Sequence, residues 1–239
     1  TQDINTDISN QLTITNCTTL GSSPITLSSD TDLCYGIYTI DNPGGDAITL
    51  EAHNMTLDCH GATIMGDAIN GIYSFNYNYM TIKNCNILDY TNSIYAYQLD
   101  HTNFSDNNLI RINVHNREYG IRYYSYLSGD YNTLRVIDSN ITNNNNGIYF
   151  YDYASQTIKH NDFNIFGNII ENNSVYGLHI PASDHASGHT IKNNQFINNG
   201  TQAKIYGAID SNENYWSDLS PCPGTGYSFT GGSDNSPTC

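Results

Sequence analysis

Two short patterns of alternating apolar and polar residues recur along the chain. The first places an aliphatic residue after a small one, as in Gly147-Ile148-Tyr149 and Gly71-Ile72-Tyr73. The second has the form of Thr81-Ile82-Lys83 and Thr190-Ile191-Lys192. Copies are separated by roughly the low twenties to the low thirties of residues, with asparagine-rich turn segments between them. No segment has the apolar period of a helix, so the sequence predicts a repeat of short strands.

Strands repeated in this way predict an all-β, single-domain parallel β-helix of about seven to eight coils with N- and C-terminal caps. Because successive side chains of a strand point to opposite faces, one residue of each pattern should stack inside the coil on its copies. The first expected interior ladder contains Ile48, Ile72, Ile94, Ile121, Ile148, Leu178 and Ile205. The second contains Leu57, Ile82, Ile110, Leu134, Ile158 and Ile191.

The repeat divides the chain into four expected parts. They are a polar N-terminal strand or arm (1–16), an N-terminal cap (17–46), the β-helix body (47–206) and a C-terminal cap or tail (207–239). Caps are expected because each end of a β-helix otherwise presents an unpaired strand edge. The start at Thr1 without methionine suits a processed product, and no apolar run reaches membrane-spanning length.

The repeats, the segment 55–64 (MTLDCHGATI) and the segment 214–218 (NYWSD) resemble the right-handed β-helix repeat proteins of the pectin-lyase-like superfamily. The resemblance is strongest to archaeal and bacterial surface proteins. The periplasmic copper-binding relatives of nitrous-oxide-reductase maturation are similar at a greater distance. The resemblance implies a right-handed coil but no single activity, because this fold carries lyases, hydrolases, adhesins and surface spacers.

Charge and cysteine content indicate the location. The net charge is −15, with only 8 lysines and arginines, which opposes binding of nucleic acid through a general field. The cysteines have no zinc or haem spacing, and fifteen disulfide connectivities are formally open. An even number of them indicates an oxidising, extracellular location, here the cell surface. The simplest, sequential pairing joins Cys17 to Cys34, Cys59 to Cys85, and Cys222 to Cys239.

Six N-glycosylation sequons agree with that location. Their asparagines are Asn16, Asn54, Asn103, Asn140, Asn172 and Asn199. Covalent N-glycans on several of them are expected. The alternative stays open that the sequons arise by chance, because asparagine and threonine are frequent in this chain.

A column of basic residues is one candidate binding surface. If the repeats are in register, one outward position holds Asp58, Lys83, Arg111, Arg135, Lys159 and Lys192. Such a column could bind an acidic polysaccharide, or it could neutralise neighbouring carboxylates or an adjacent subunit. The expected acidic-glycan residues are Lys83, Arg111, Arg135, Lys159, Tyr95, Tyr124, Tyr149 and Tyr151.

Two outward aromatic rows form the second candidate surface. One row contains Tyr73, Tyr95, Tyr149 and Tyr206, with Arg122 and His179 in the same line. The other contains Phe75, Tyr97, Tyr124 and Tyr151. Tyrosine has an apolar face and a wet tip, so such rows suit sugars or a protein interface. Stacking between coils that only stabilises the sheet is the alternative.

Metal binding and catalysis have weaker support. The loop with His179, Asp184, His185 and His189 could hold copper or zinc, but a solvated loop is the favoured interpretation. No metal site, cofactor or catalytic residue is therefore assigned. Asp30 and Asp32 lie in the cap region, where solvation or calcium binding is as plausible as acid–base chemistry.

These features favour a structural glycoprotein of the cell surface over an enzyme. The hypothesis is a homo-oligomeric or homopolymeric subunit of a filament, sheath or surface layer, without a membrane span or a nucleic-acid partner. The alternative hypothesis is a β-helix protein that binds or cleaves an acidic polysaccharide, by lyase or hydrolase chemistry.

Overall fold

The computed structural model describes residues 16–77, 79–98, 105–110, 113–115, 118–125, 131–152, 160–180, 187–205, 208–217, 227–229 and 232–234. These residues form strands and turns, with no helix among them. Three parallel sheets, each of eight strands, wind around one interior. The predicted parallel β-helix is therefore confirmed. The expected N-terminal arm lies outside the described residues, except for Asn16.

Each coil contributes one strand to each sheet, and strands are numbered in chain order. The first sheet contains β1 (Ile25–Leu27), β4 (Asn42–Leu50), β7 (Ala68–Phe75), β10 (Asn92–Gln98), β13 (Tyr119–Ser125), β16 (Asn146–Asp152), β19 (Tyr176–Ile180) and β22 (Thr201–Ile205). The second contains β2 (Thr31–Asp32), β5 (Thr56–Asp58), β8 (Thr81–Lys83), β11 (Ser105–Ile110), β14 (Tyr131–Ile137), β17 (His160–Phe166), β20 (Ser187–Lys192) and β23 (Ala208–Asn212).

The third sheet contains β3 (Ile37–Thr39), β6 (Thr63–Met65), β9 (Asn86–Leu88), β12 (Asn113–His115), β15 (Asn140–Thr142), β18 (Ile169–Glu171), β21 (Gln195–Ile197) and β24 (Tyr215–Trp216). An antiparallel hairpin of β25 (Tyr227–Phe229) and β26 (Gly232–Asp234) lies against β22 and β23. The described residues contain no helix of the length and hydropathy needed to cross a bilayer.

The first interior ladder follows the prediction in all but its last member. The register pairs Ile48, Ile72, Ile94, Ile121, Ile148 and Leu178 in successive strands, and all are buried. Ala203 takes the next position, and Ile205 pairs with Ile180 instead. The prediction for Ile205 was therefore wrong by two residues, a shift that keeps the side chain inside because strand faces repeat every second residue.

The second interior ladder differs from the prediction in its middle. Its register position passes through Leu57, Ile82, Leu109, Val136, Ile165 and Ile191, and the described side chains among them are buried. Ile110, which was expected inside, pairs with Lys83 at the neighbouring register position. Leu134 is buried but pairs with Phe163, two residues away along the strand. Ile158 lies outside the described residues. The shifts arise because these strands contain apolar residues both at adjacent and at alternate positions, so alternation alone does not fix the register.

Buried asparagines stack at the corners between sheets. Asn168, Asn194 and Asn214 form one ladder, in which each amide donates to the next at 2.9 Å. A second ladder follows the corner before the first sheet, where Asn144 donates to Asn173 at 3.1 Å and Asn173 to Asn199 at 2.9 Å. Because amide groups buried in a corner need partners, these ladders fix the alignment of successive coils.

Two disulfides join successive coils near the N-terminal end. They connect Cys17 to Cys34 and Cys59 to Cys85, as predicted, with Cα–Cα distances of 4.8 and 4.9 Å. The expected Cys222–Cys239 bridge lies outside the described residues and stays a prediction. At the other end Trp216 is fully buried and stacks on Phe196, with ring centroids 4.4 Å apart. Aromatic packing therefore continues the interior to the last coil.

Candidate functional site: the aromatic face of the first sheet

The outward face of the first sheet brings the two predicted aromatic rows together. The register aligns Phe75, Tyr97, Tyr124 and Tyr151 in one row. The other row contains Tyr73, Tyr95, Arg122, Tyr149, His179 and Lys204. Lys204 occupies the position that was expected for Tyr206, which is not among the described residues. The face is therefore aromatic over β7, β10, β13 and β16.

The rings of the Phe75 row stack on one another along the solenoid axis. Ring centroids are 5.4 Å apart between Phe75 and Tyr97, 4.5 Å between Tyr97 and Tyr124, and 4.9 Å between Tyr124 and Tyr151. Interplanar angles of 10°, 14° and 17° leave ring edges and hydroxyl groups, rather than ring faces, toward solvent. This geometry disfavours sugar stacking, which needs an exposed ring face, and it suits a flat protein contact.

Arg122 lies at the centre of the face. Its guanidinium carbon is 5.0 Å from the ring centroids of both Tyr95 and Tyr119, a range in which cation–π attraction operates. Its Nε is buried without a hydrogen-bond partner, and no carboxylate of the described residues forms an ion pair with it. Sequence analysis placed Arg122 in the row but gave it no binding role, because Tyr119 belongs to neither predicted row.

The predicted basic column is wrong in its register. The position of Asp58 and Lys83 continues through Ile110, Ile137 and Phe166 before it reaches Lys192. Arg135 lies two residues away, paired with Asn108, while Arg111 and Lys159 are not among the described residues. The described basic residues of this set belong to the second sheet and the tyrosines to the first. The expected acidic-glycan residues are thus divided between two faces.

Lys83 has a carboxylate partner in a cluster at the N-terminal end. Its Nζ lies 3.1 Å from Asp58 Oδ2, and His60 Nε2 lies 3.1 Å from Asp32 Oδ1 and 3.6 Å from Asp58 Oδ2. Burial alone raises the pKa of the Asp58 carboxyl, but hydrogen bonds from Asn84, the His60 backbone and Lys83 bring the pKa below its ordinary value. The sequence pattern does not reveal this cluster, because the cluster depends on the pairing of the two-residue strand β2 with β5.

The two described histidines of the predicted metal loop do not converge. His179 belongs to the outer face, where its ring stacks on Tyr176 with centroids 4.7 Å apart. Burial, with a smaller contribution from Lys204, lowers the pKa of His179 to about 4. His189 is fully buried and stacks on Phe163 inside the coil. Asp184 and His185 lie outside the described residues.

The sequon asparagines differ in exposure and in hydrogen bonding. Asn16, Asn54, Asn140 and Asn172 are exposed, and Asn103 is not among the described residues. Asn199 is part of the corner ladder, where its Nδ2 donates to Ile170 O and to Gln202 Oε1, both at 2.8 Å. An N-glycan would have to be attached at this same nitrogen. None of the five described sequon asparagines falls within a strand of the first sheet.

A model of the family described as periplasmic copper-binding protein (NosD) matches residues 114–233, half of the chain. The chain belongs to the NosD family. The pectin-lyase-like resemblance is therefore confirmed, and the matched NosD segment includes Arg122 and the His179 position. Comparison with curated proteins gives no match, and comparison with solved structures gives none either. The NosD family and the two disulfides are consistent with a secreted protein.

The described residues of this NosD-family chain do not fit copper well. They bring three ligand-type groups together only at Asp32, Asp58 and His60, which lie outside the matched segment. This set has one imidazole and two carboxylates, but the Lys83 ammonium, 3.1 Å from Asp58 Oδ2, would repel a bound divalent ion. Cys59 and Cys85 are oxidised and offer no thiolate. The described residues therefore form no arrangement to which we assign copper binding.

Proposed function

We propose that the protein is a structural subunit of the cell surface, a component of a filament, sheath or surface layer whose copies assemble through the first-sheet face. The stacked aromatic row of β7, β10, β13 and β16 carries the proposal. A strip of tyrosine edges with a central arginine has the composition of a protein interface, since Tyr and Arg are enriched at such contacts. The β-helix fold and the consistency of the family and disulfides with secretion support this proposal.

Glycosylation at the exposed sequons is part of this proposal. Glycans on Asn54, Asn140 and Asn172 would leave the strands of the first sheet bare, which keeps the assembly face accessible. Asn199 should stay unmodified, because its amide nitrogen is engaged in the corner ladder. Glycopeptide mass spectrometry of native material tests this expectation. Occupancy at Asn199 equal to that at Asn140 would contradict it.

Self-association is the property to measure. We expect the purified chain to associate as its concentration rises, and Tyr97→Glu to weaken the association at least about tenfold, because a charge then lies at the centre of the aromatic face. Phe166→Glu is the matched control, since Phe166 is 40 % exposed on the second sheet. Light scattering coupled to size-exclusion chromatography reads the mass, and circular dichroism confirms that each variant is folded. A wild-type chain that stays monomeric would contradict the proposal.

Binding of an acidic polysaccharide is the second candidate, and Arg122 is the observation that favours it. The guanidinium, lacking a carboxylate partner among the described residues, suits a uronate group. The mutual stacking of the Phe75 row places this candidate second. Affinity electrophoresis in polygalacturonate or alginate, with Arg122→Ala beside the wild type, tests it. Equal retardation of the two proteins by the polysaccharide, each measured against a gel without it, would remove this candidate.

A further inference from the structure

The first-sheet face carries opposite charges at different coils. Exposed Glu51 follows β4, Arg122 belongs to β13 and Lys204 to β22, whereas Asp46 accepts a hydrogen bond from buried Asn70 at 2.6 Å. Two strands, β7 and β10, lie between β4 and β13, so Glu51 and Arg122 are about 14 Å apart along the solenoid axis. Within one copy this separation prevents an ion pair.

We infer that two copies pair face to face through this sheet, with Arg122 of each copy against Glu51 of the other. The inference rests on the proposed function and names one contact within it; because a two-fold pair is closed, a filament or layer also requires a second contact between pairs. The two-fold axis runs parallel to the strands, midway between β7 and β10, so the order of the coils is reversed across the contact. Because a two-fold contact is self-complementary, the arginine–acid contact forms twice.

The register of the first sheet makes this contact geometrically reasonable. Thr49 pairs with Tyr73, and Tyr95 with Arg122, so the four residues share one position across the sheet. Arg122 of one copy then lies over Thr49 of the second. Glu51 follows Thr49 by two residues, or about 7 Å of extended strand, which is within reach of a long arginine side chain.

A surface depression beside Glu51 gives the guanidinium a place. It is lined by Thr49, Leu50, Glu51, Tyr73, Phe75 and Tyr77. An acid next to aromatic rings is the environment that an interfacial arginine prefers, because the ring faces and the carboxylate both attract a guanidinium. At the centre of the contact, Tyr73 and Phe75 of one copy face Tyr95 and Tyr97 of the other. The contact thus has an aromatic centre and a charged rim.

A second two-fold axis parallel to the strands is opposed by charge. If Glu51 of one copy faced Lys204 of the other, the axis would pass through β13. Arg122 would then lie on Arg122 of the second copy, and like charges placed together in an interface strongly oppose association. Of these two axes, the one between β7 and β10 brings each arginine to Glu51.

A charge exchange tests the pairing in the full chain. We expect Arg122→Glu and Glu51→Arg each to weaken self-association at least about tenfold, because each variant opposes like charges twice. An equimolar mixture of the two variants, and the double variant R122E/E51R, should return to within about threefold of the wild type, since both contacts again join opposite charges. Lys204→Glu, the same charge change on the same face, should leave association unchanged. Sedimentation equilibrium gives the constants, and thermal melts verify folding.

The outcomes distinguish failure of this pairing from failure of the proposed assembly function. If the wild type associates and the single variants associate equally well, this pairing is wrong while assembly stands. If the wild type never associates, the proposed function fails together with the pairing. If the single variants associate weakly and neither the mixture nor the double variant recovers, Arg122 and Glu51 do not meet across the interface. Loss of polygalacturonate binding in Arg122→Glu, without a change in association, would assign Arg122 to a glycan instead.

Discussion

Replacing Asn194 with leucine lowers the free energy of unfolding by about 3–5 kcal/mol, because several buried polar groups lose their partners at about 1–3 kcal/mol each. Asn194 Oδ1 accepts hydrogen bonds from Asn168 N at 3.0 Å and Asn168 Nδ2 at 2.9 Å. Its Nδ2 donates to Asn214 Oδ1 at 2.9 Å and to Ile165 O at 2.8 Å. Leucine has a similar volume and supplies none of these bonds.

Urea denaturation followed by circular dichroism measures the loss. Gln195→Ala is the control, because the neighbouring side chain is exposed, and surface substitutions usually change stability by less than about 0.5 kcal/mol. A loss at Asn194 no larger than at Gln195 would mean that the corner ladder does not hold adjacent coils in register.

Acid destabilises the protein through His189. Burial lowers the pKa of this imidazole to about 4 from its ordinary value of 6.5. Between these two values the unfolded chain binds a proton that the folded chain does not, so stability falls as the pH decreases through this window. Proton uptake by His189 on unfolding should therefore lower the free energy of unfolding by about 2–3 kcal/mol between pH 7 and pH 4.5.

The comparison variant is His189→Phe, which keeps a ring stacked near Phe163 and cannot titrate. The free energy of unfolding of each protein is measured by urea denaturation at both pH values. The difference between wild type and variant then separates the contribution of His189 from that of the carboxylates. The variant also loses the acceptor for Phe163 N, which His189 Nδ1 supplies at 3.3 Å, but that loss is nearly constant with pH. Parallel pH dependence of the two proteins would contradict a buried neutral His189.

The register of the first sheet could be predicted from the sequence because its strands repeat one pattern, a small residue followed by an aliphatic one. At Gly147, the residue before the inward aliphatic Ile148, a larger side chain does not fit, because a Cβ would lie 2.5 Å from the carbonyl oxygen of Gly177 in the next coil. A small residue therefore precedes the inward aliphatic in most coils, and this fixes the alignment of Ile121, Ile148 and Leu178. The aromatic rows follow from the same alignment.

The second sheet could not be aligned in the same way. Its strands β11, β14 and β17 contain adjacent apolar residues, Leu109-Ile110, Val136-Ile137 and Ile165-Phe166, and either member of each pair satisfies an alternating pattern. In β11 the choice of Ile110 instead of Leu109 is a shift of one residue, which reverses the face of every side chain, and in β14 the choice of Leu134 instead of Val136 is a shift of two. The predicted basic column depended on these choices and is absent from the described register. Contacts that depend on that register, such as Lys83 with Asp58 in the cluster with His60, require coordinates.

Hydroxyl-radical footprinting of the wild-type chain, dilute and concentrated, tests most directly whether the first-sheet face is an assembly surface. The account predicts that Tyr73, Tyr95, Tyr97 and Tyr124 become protected as concentration rises, while Phe166 on the second sheet keeps its reactivity. Equal modification of these tyrosines at all concentrations, or protection confined to the second sheet, would contradict it.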